Sequence, residues 1–283
     1  MLLRLAPVLF VLLWSTGFIG AKLGGEDAEP FTFLSLRFGL ALAALLPVAA
    51  WRGGLGGEGR GHAFLVGMLI HGVYLGGVYW AIRRGMPAGV SALIVSLQPI
   101  LTTVLAGPWL GERLTARHWT GLALGLIGAG LIVAPKLGSG AGFDAASLAA
   151  SVAALFAITL GTLYQKRYAT HLDLVGGAVW QYFGALAVVG LGAAFETRAI
   201  HWTPGLAFAL AWLVLALSIG AVFLLMLLIR RHAVSGVSGL FYLVPACTAA
   251  MAYLMFGERL TLVQLAGMAA AIAGVGLIAA RRA

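Results

Sequence analysis

Stretches of about twenty apolar residues follow one another along this chain with hardly a break, each long enough as a helix to cross a hydrocarbon layer of roughly 30 Å. They fall at about 4–23, 30–50, 62–82, 87–109, 116–135, 147–166, 173–194, 206–229, 233–256 and 262–280, with boundaries good to about 2–4 residues. Nothing between them is long enough to fold as a soluble domain. Composition agrees: hydrophobic residues are 61% of the 283 and charged ones 10%, against roughly 45–50% and 25% in soluble domains. The expected fold class is an all-α integral membrane protein with ten transmembrane helices. The first segment, with Arg4 ahead of an apolar run ending near "FIGAKL", has the look of a secretory signal. Removing it would leave nine spans and spoil the internal repeat described next, so we read it as a span.

The pentapeptide GERLT occurs twice, in "WLGERLTARHWTG" (Trp109–Gly121) and in "MFGERLTLVQLAG" (Met255–Gly267), 146 positions apart. The same offset lays "GLALGLIGAGLIVA" on "GMAAAIAGVGLIAA" and Pro99 on Pro245. One residue of slip brings "RRGMPAGVSAL" onto "RRHAVSGVSGL", pairing Ser91 with Ser238. The chain therefore divides into 1–136 and 137–283, two five-helix repeats. An odd number of spans makes the second repeat enter the membrane with opposite polarity, so the repeats are inverted, an architecture that can rock about a midplane site. Locally, Gly111 and Gly257 suit the left-handed end of a helix, and Thr115 and Thr261 suit the cap of the next, with Gln264 completing a capping box. A gating role, in which Glu112–Arg113 or Glu258–Arg259 ion pairs break during cycling, is the other reading of the string.

A helix, then G-E-R-L-T, then a glycine-studded helix ending "GLIVA" or "GLIAA", present twice, resembles the EamA family of the drug/metabolite transporter superfamily. Within it the chain looks most like the YddG-type exporters of aromatic and other hydrophobic amino acids. The resemblance implies a ten-helix bundle of two five-helix halves, cytoplasmic termini, a central cavity between the halves, and metabolite export.

The net charge of +9 is dispersed among short loops rather than gathered in a stripe, which argues against nucleic acid as a partner. It reads instead as topology. With a cytoplasmic N-terminus the inner side collects Arg4, Arg52, Arg60, Arg113, Arg117, Lys166, Arg167, Arg230, Arg231, Arg281 and Arg282. The outer side receives Lys22, Arg83, Arg84, Lys136, Arg198 and Arg259. The expected location is the inner (plasma) membrane, multi-pass, with both termini cytoplasmic. Cys247 has no partner for a disulfide, and we expect no cofactor and no bound metal.

Pro99 and Pro245, at equivalent positions inside spans four and nine, each remove a backbone hydrogen bond that lipid cannot replace, and so mark paired hinges facing the protein interior. Helical spacing aligns Ser91, Gln98 and Thr102 on one face, Ser238, Tyr242 and Pro245 on another, and His71, Tyr74 and Val78 on a third. Trp14, Trp180 and Tyr242 lie too deep for an interfacial belt. The expected substrate-binding residues are thus Trp14, His71, Tyr74, Ser91, Gln98, Trp180, Ser238 and Tyr242, with helix packing as the alternative role for the polar ones. Arg37 either bonds a neighbouring helix or acts as countercharge to a substrate carboxylate. No Asp or Glu lies near the middle of a span, which points away from a carboxylate proton relay. Flat aromatic faces with few charges suit a small apolar or aromatic solute.

Two rival readings carry less. Charge rings or carbonyl filters, the usual pore linings, are not legible, which disfavours a channel. "GVSG" at Gly236–Gly239 matches the nucleophile motif of rhomboid-type intramembrane proteases and would need a histidine base at Ser238. His71 is the only deep candidate, and the repeat partner "GVSA" has no catalytic rationale. Partners are therefore a small-molecule substrate and the lipid bilayer, with a homo-oligomer open through small-residue spacings such as Gly72-x-x-x-Gly76 and Gly121-x-x-x-Gly125.

Overall fold

The computed structural model describes residues 2–24, 27–56, 58–86, 91, 94–112, 114–134, 144–197, 199–256 and 261–279. Its helices are α1 (Leu2–Gly24), α2 (Pro30–Trp51), α3 (Arg60–Arg83), α4 (Gln98–Leu110), α5 (Ala116–Val133), α6 (Ala145–Tyr168), α7 (Leu174–Ala193) and α8 (Pro204–Arg231). They continue with α9, which starts as Val234–Gly239 and resumes as Leu243–Phe256, and α10 (Leu262–Ala279). Among the described residues the chain is all-helical apart from one isolated bridge, Ala28 to Ile200. Among the described residues seven helices are long and apolar enough to cross a membrane, and Leu5–Gly17 and Leu262–Ile278 are shorter apolar helices.

Helix ends follow from local chemistry. Gly111 ends α4 at φ 70°, a left-handed conformation that costs a residue without Cβ little. Thr115 and His118 then form a capping box on α5. Thr261 and Gln264 form the equivalent box on α10, with Thr261 N donating to Gln264 Oε1 at 3.0 Å and Gln264 N to Thr261 Oγ1 at 3.2 Å. Arg113 and the second Gly-Glu-Arg-Leu (257–260) lie outside the described residues. The first Glu is engaged with the start of α9: its carboxylate accepts from Val234 N at 2.6 Å and Ser235 Oγ at 2.7 Å.

Three helices depart from α geometry where the sequence periodicity assumes it. Within α3, Met68–Val73 is wound as a π-helix, and within α8, Leu213–Ala221 is as well. In α9, Leu240–Tyr242 tightens to a 3-10 turn just before Pro245. The run before α4 is also broken, with turn geometry at Ser96 and Leu97. Pro99 consequently sits in the first turn of α4, where its missing N–H is one of the helix's orphan donors in any case.

Glycines set the closest contacts. A Cβ on Gly121 would lie 2.7 Å from Gly274 O, and one on Gly128 would lie 2.6 Å from Gly267 O, so α5 and α10 touch backbone to backbone in antiparallel register. Gly125 receives the ring of Tyr242. These small-residue spacings are thereby spent inside the chain. The main core joins α1, α6, α8 and α9 around Phe10, Ile158, Leu213 and Val237, and a second packs α2 against α7 and α8 around Phe38, Tyr182 and Val222.

Candidate binding cavity

Between α1, α2, α3, α4, α6, α8 and α9 lies a cavity of about 390 Å³, within the range of small-molecule sites. It reaches Ala28, Pro30, Ile82 and Arg83 at the end of the molecule where α1 finishes and α2 begins, hereafter the open end. At the opposite end, hereafter the tied end, side chains bridge the helix termini.

Each wall comes from a helix face that the sequence places there. On α1, Trp14 meets Phe241 of α9 edge-on, with ring centroids 5.4 Å apart and planes at 85°. On α2, Phe33 and Arg37 are one turn apart and share a face. Phe33 stacks on Tyr79 at 6.2 Å, and Arg37 Nε donates to Ser218 Oγ at 2.9 Å. On α3, His71 and Tyr74 reach the cavity, and His71 Nε2 shares a hydrogen bond of 3.1 Å with Gln181 Oε1. Gln98 of α4 donates through Nε2 to Thr102 Oγ1 at 3.0 Å and Ser238 Oγ at 3.3 Å, while its Oε1 has no partner. The described lining carries no acidic side chain.

Of the sequence-predicted residues, Trp14, His71, Tyr74, Ser91, Gln98 and Pro245 line the cavity. Four are placed elsewhere. Ser238 sits behind Gln98, and Pro99 is buried in the first turn of α4. Tyr242 turns away onto Gly125, and Phe241 takes the wall instead. The reason is the 3-10 turn: at 3.0 residues per turn it advances each residue about 120° rather than 100°, which rotates the face that α-helical spacing assigns to Tyr242. Trp180 is at the tied end, its indole N–H donating to Leu55 O at 3.1 Å and its ring under the Arg60 guanidinium at 5.9 Å. Its indole therefore meets loop backbone and an arginine rather than the cavity. Phe33, absent from the predicted set, was legible as the residue one turn before Arg37. Leu217 and Val222 were not, because the π-helical stretch of α8 decides their direction.

The protease geometry is not present. Ser238 Oγ receives Gln98, and His71 is committed to Gln181. Among the described residues no cluster of three His, Cys, Asp or Glu could hold a metal ion.

An all-helical protein with helices apolar enough to cross a membrane and a largely apolar cavity between them, open at one end, is built as a carrier of small molecules. The sequence profile of the EamA-like transporter family matches residues 4–134 and again residues 145–280, and the chain belongs to that family. It is similar to a "Probable amino-acid metabolite efflux pump" of Salmonella typhimurium, 27% identical with 95% of this chain and 91% of that protein covered. It is also similar to the "Uncharacterized inner membrane transporter YedA" of Escherichia coli, 25% identical with 98% and 91% covered. A solved protein crystal structure superposes with a TM-score of 0.83 over 98% of this chain and 96% of that one at 18% identity, which shows a shared fold.

Proposed function

We propose that this chain exports aromatic or other hydrophobic amino acids from the cell by alternating access. The carrying observation is the cavity itself: Trp14, Phe33, Tyr74 and Phe241 present apolar faces, with a few polar groups at Arg37, His71 and Gln98. That mixture matches a solute with a bulky apolar side chain and a compact polar end. The names of the similar efflux pumps support the same substrate class.

In this reading all ten helices cross the inner membrane as two inverted repeats, 1–136 and 137–283, with both termini cytoplasmic. Three observations support it. The family profile matches twice. The π-helical stretches fall at equivalent places in the third helix of each half. Gly121 faces Gly274 while its repeat counterpart Gly267 faces Gly128, the reciprocal pairing that a two-fold axis in the membrane plane produces. The open end is then the outer side, Pro99 is the hinge where α4 begins, and Pro245 is its counterpart within α9.

The test is flux in liposomes of purified protein. Phenylalanine, tryptophan and large aliphatic amino acids should move at saturable rates with trans-stimulation, faster than sugars, nucleotides or organic phosphates. Competition by sugar phosphates and none by amino acids would overturn the substrate class and leave the carrier fold standing.

A further inference from the structure

Arg37 is 4% exposed and lies in the middle of a membrane protein's cavity wall. A guanidinium removed from water costs several kcal/mol unless its charge and its five donors are compensated. Here Nε is used on Ser218 Oγ, and Phe33 of the same helix face stacks on Tyr79 beside it. Among the described residues no carboxylate pairs with it, and the lining holds none. Hydroxyl partners satisfy donors but leave the charge unneutralised, so the cavity is electropositive at this wall. The planar fork of an arginine is matched by a carboxylate, which it can hold through two parallel bonds.

A second polar group in the same lining has the opposite vacancy. Gln98 is 1% exposed, and its Nε2 is occupied twice while Oε1 accepts nothing. Buried acceptors without a donor are uncommon and costly. Thr102 and Ser238 hold the amide so that its oxygen is the free atom.

We infer that Arg37 and Gln98 form the two poles of an α-amino-acid subsite, in which the guanidinium binds the substrate carboxylate and Gln98 Oε1 accepts from the substrate ammonium. The side chain then lies along Trp14, Phe33 and Phe241. The inference rests on the transport reading above and deepens it: the protein recognises the backbone of an amino acid by charge, and its side chain by apolar contact alone.

The experiment is counterflow of labelled phenylalanine in proteoliposomes, competed by 3-phenylpropanoate, which keeps only the carboxylate, and by 2-phenylethylamine, which keeps only the ammonium. Wild-type protein should rank phenylalanine first, phenylpropanoate second, and phenylethylamine at least tenfold behind both. Arg37→Gln should abolish the advantage of the carboxylated ligands. Arg37→Lys, which keeps the charge without the fork, should retain part of it, and stands in if the neutral variant does not fold. Gln98→Leu should erase the preference for phenylalanine over phenylpropanoate and leave both ahead of the amine. Phenylethylamine competing as well as phenylpropanoate in the wild type, or an unchanged ranking in Arg37→Gln, would overturn the inference while the transport reading stood. A wild-type protein that took neither phenylalanine nor tryptophan nor a large aliphatic amino acid would overturn both.

Discussion

The two ends of the molecule share one capping device and differ in what else ties them. At the tied end the short α8–α9 connection is clasped by two charges of opposite sign. Lys166 Nζ donates to Ile229 O at 2.8 Å and His232 O at 2.9 Å, at the C-terminus of α8. Glu112 accepts from the first two N–H groups of α9 and from the Ser235 hydroxyl. Cation at a helix C-terminus and anion at the next N-terminus both complement the helix dipoles and satisfy orphan backbone groups. Arg167 adds a bond to Trp109 O at 2.5 Å, joining α6 to the end of α4.

At the open end the described ties run along the wall. Glu196 caps α2 through Phe31 N at 2.9 Å and Thr32 N at 2.7 Å, and Glu29 receives Thr197. Arg84 and Asp144 form an exposed pair at 2.8 Å between α3 and α6. Glu196 thus holds the start of α2 through two N–H groups and a hydroxyl, as Glu112 holds the start of α9, and the difference among the described ties is the cation at the tied end: Lys166 on the C-terminus of α8 and Arg167 on the end of α4.

Sequence carries part of this difference. On the repeat alignment proposed above, Val234 and Ser235 correspond to Pro87 and Ala88, and Glu112 corresponds to Glu258. Residues 87–90 and 257–260 lie outside the described residues, but a proline offers no N–H and an alanine no hydroxyl. Of the three donors that hold Glu112, the counterpart pair supplies one.

The comparison is broken most severely by filling the tied end. A Cβ on Gly176 would lie 2.0 Å from Gly54 O, so Gly176→Ala should destabilise the protein by about 3 kcal/mol. Gly190, near the open end of the same helix, has nothing within 4 Å, and Gly190→Ala should be neutral or stabilising by about 0.5–1 kcal/mol. Thermal unfolding in detergent compares the two, and equal losses would mean that both ends of α7 are packed alike.

A smaller effect is expected from opening the clasp. Glu112→Gln weakens charge-assisted bonds worth about 2 kcal/mol, or roughly thirtyfold in the ratio of closed to open tied ends. Val237→Cys in a Cys247→Ser background should then label faster from the side that the tied end faces. Glu258→Gln should change accessibility less than Glu112→Gln, and a larger change would reverse the asymmetry drawn from Pro87 and Ala88.

The smallest effect belongs to the exposed pair. Asp144 caps α6 through Ser147, and the hydrogen bond from Ser147, followed by that from Arg84, holds its carboxyl below the usual carboxylate range. A lowered folded value means that its contribution is complete above the unfolded value of about 3.9 and is lost as pH falls through the folded one. The stability deficit of Asp144→Ala should therefore be slight and the same at pH 7 and pH 5. A deficit that shrank between those values would show a carboxyl titrating above its ordinary range, the opposite of the lowered value.

Much of this was readable before any coordinates. Runs of apolar residues specify helices in lipid because no other local structure satisfies the backbone there. The caps at Thr115, Thr261 and Gly111 were legible because capping is chemistry within four residues. Trp14, His71, Tyr74, Ser91, Gln98 and Pro245 were legible as polar, aromatic or proline residues within apolar runs, and all six line the cavity, although α-helical register does not run unbroken through most of them. Where the winding changes, that register is lost: the 3-10 turn at Leu240–Tyr242 exchanges Phe241 for Tyr242, and the π-helical Leu213–Ala221 decides which of its residues reach the cavity. Trp180 failed for another reason, since depth along a helix does not say which neighbours its indole meets. The partners of Glu112 and Arg37 lie 122 and 181 residues away. Such pairings depend on how helices assemble in space, and only the tertiary structure could decide them.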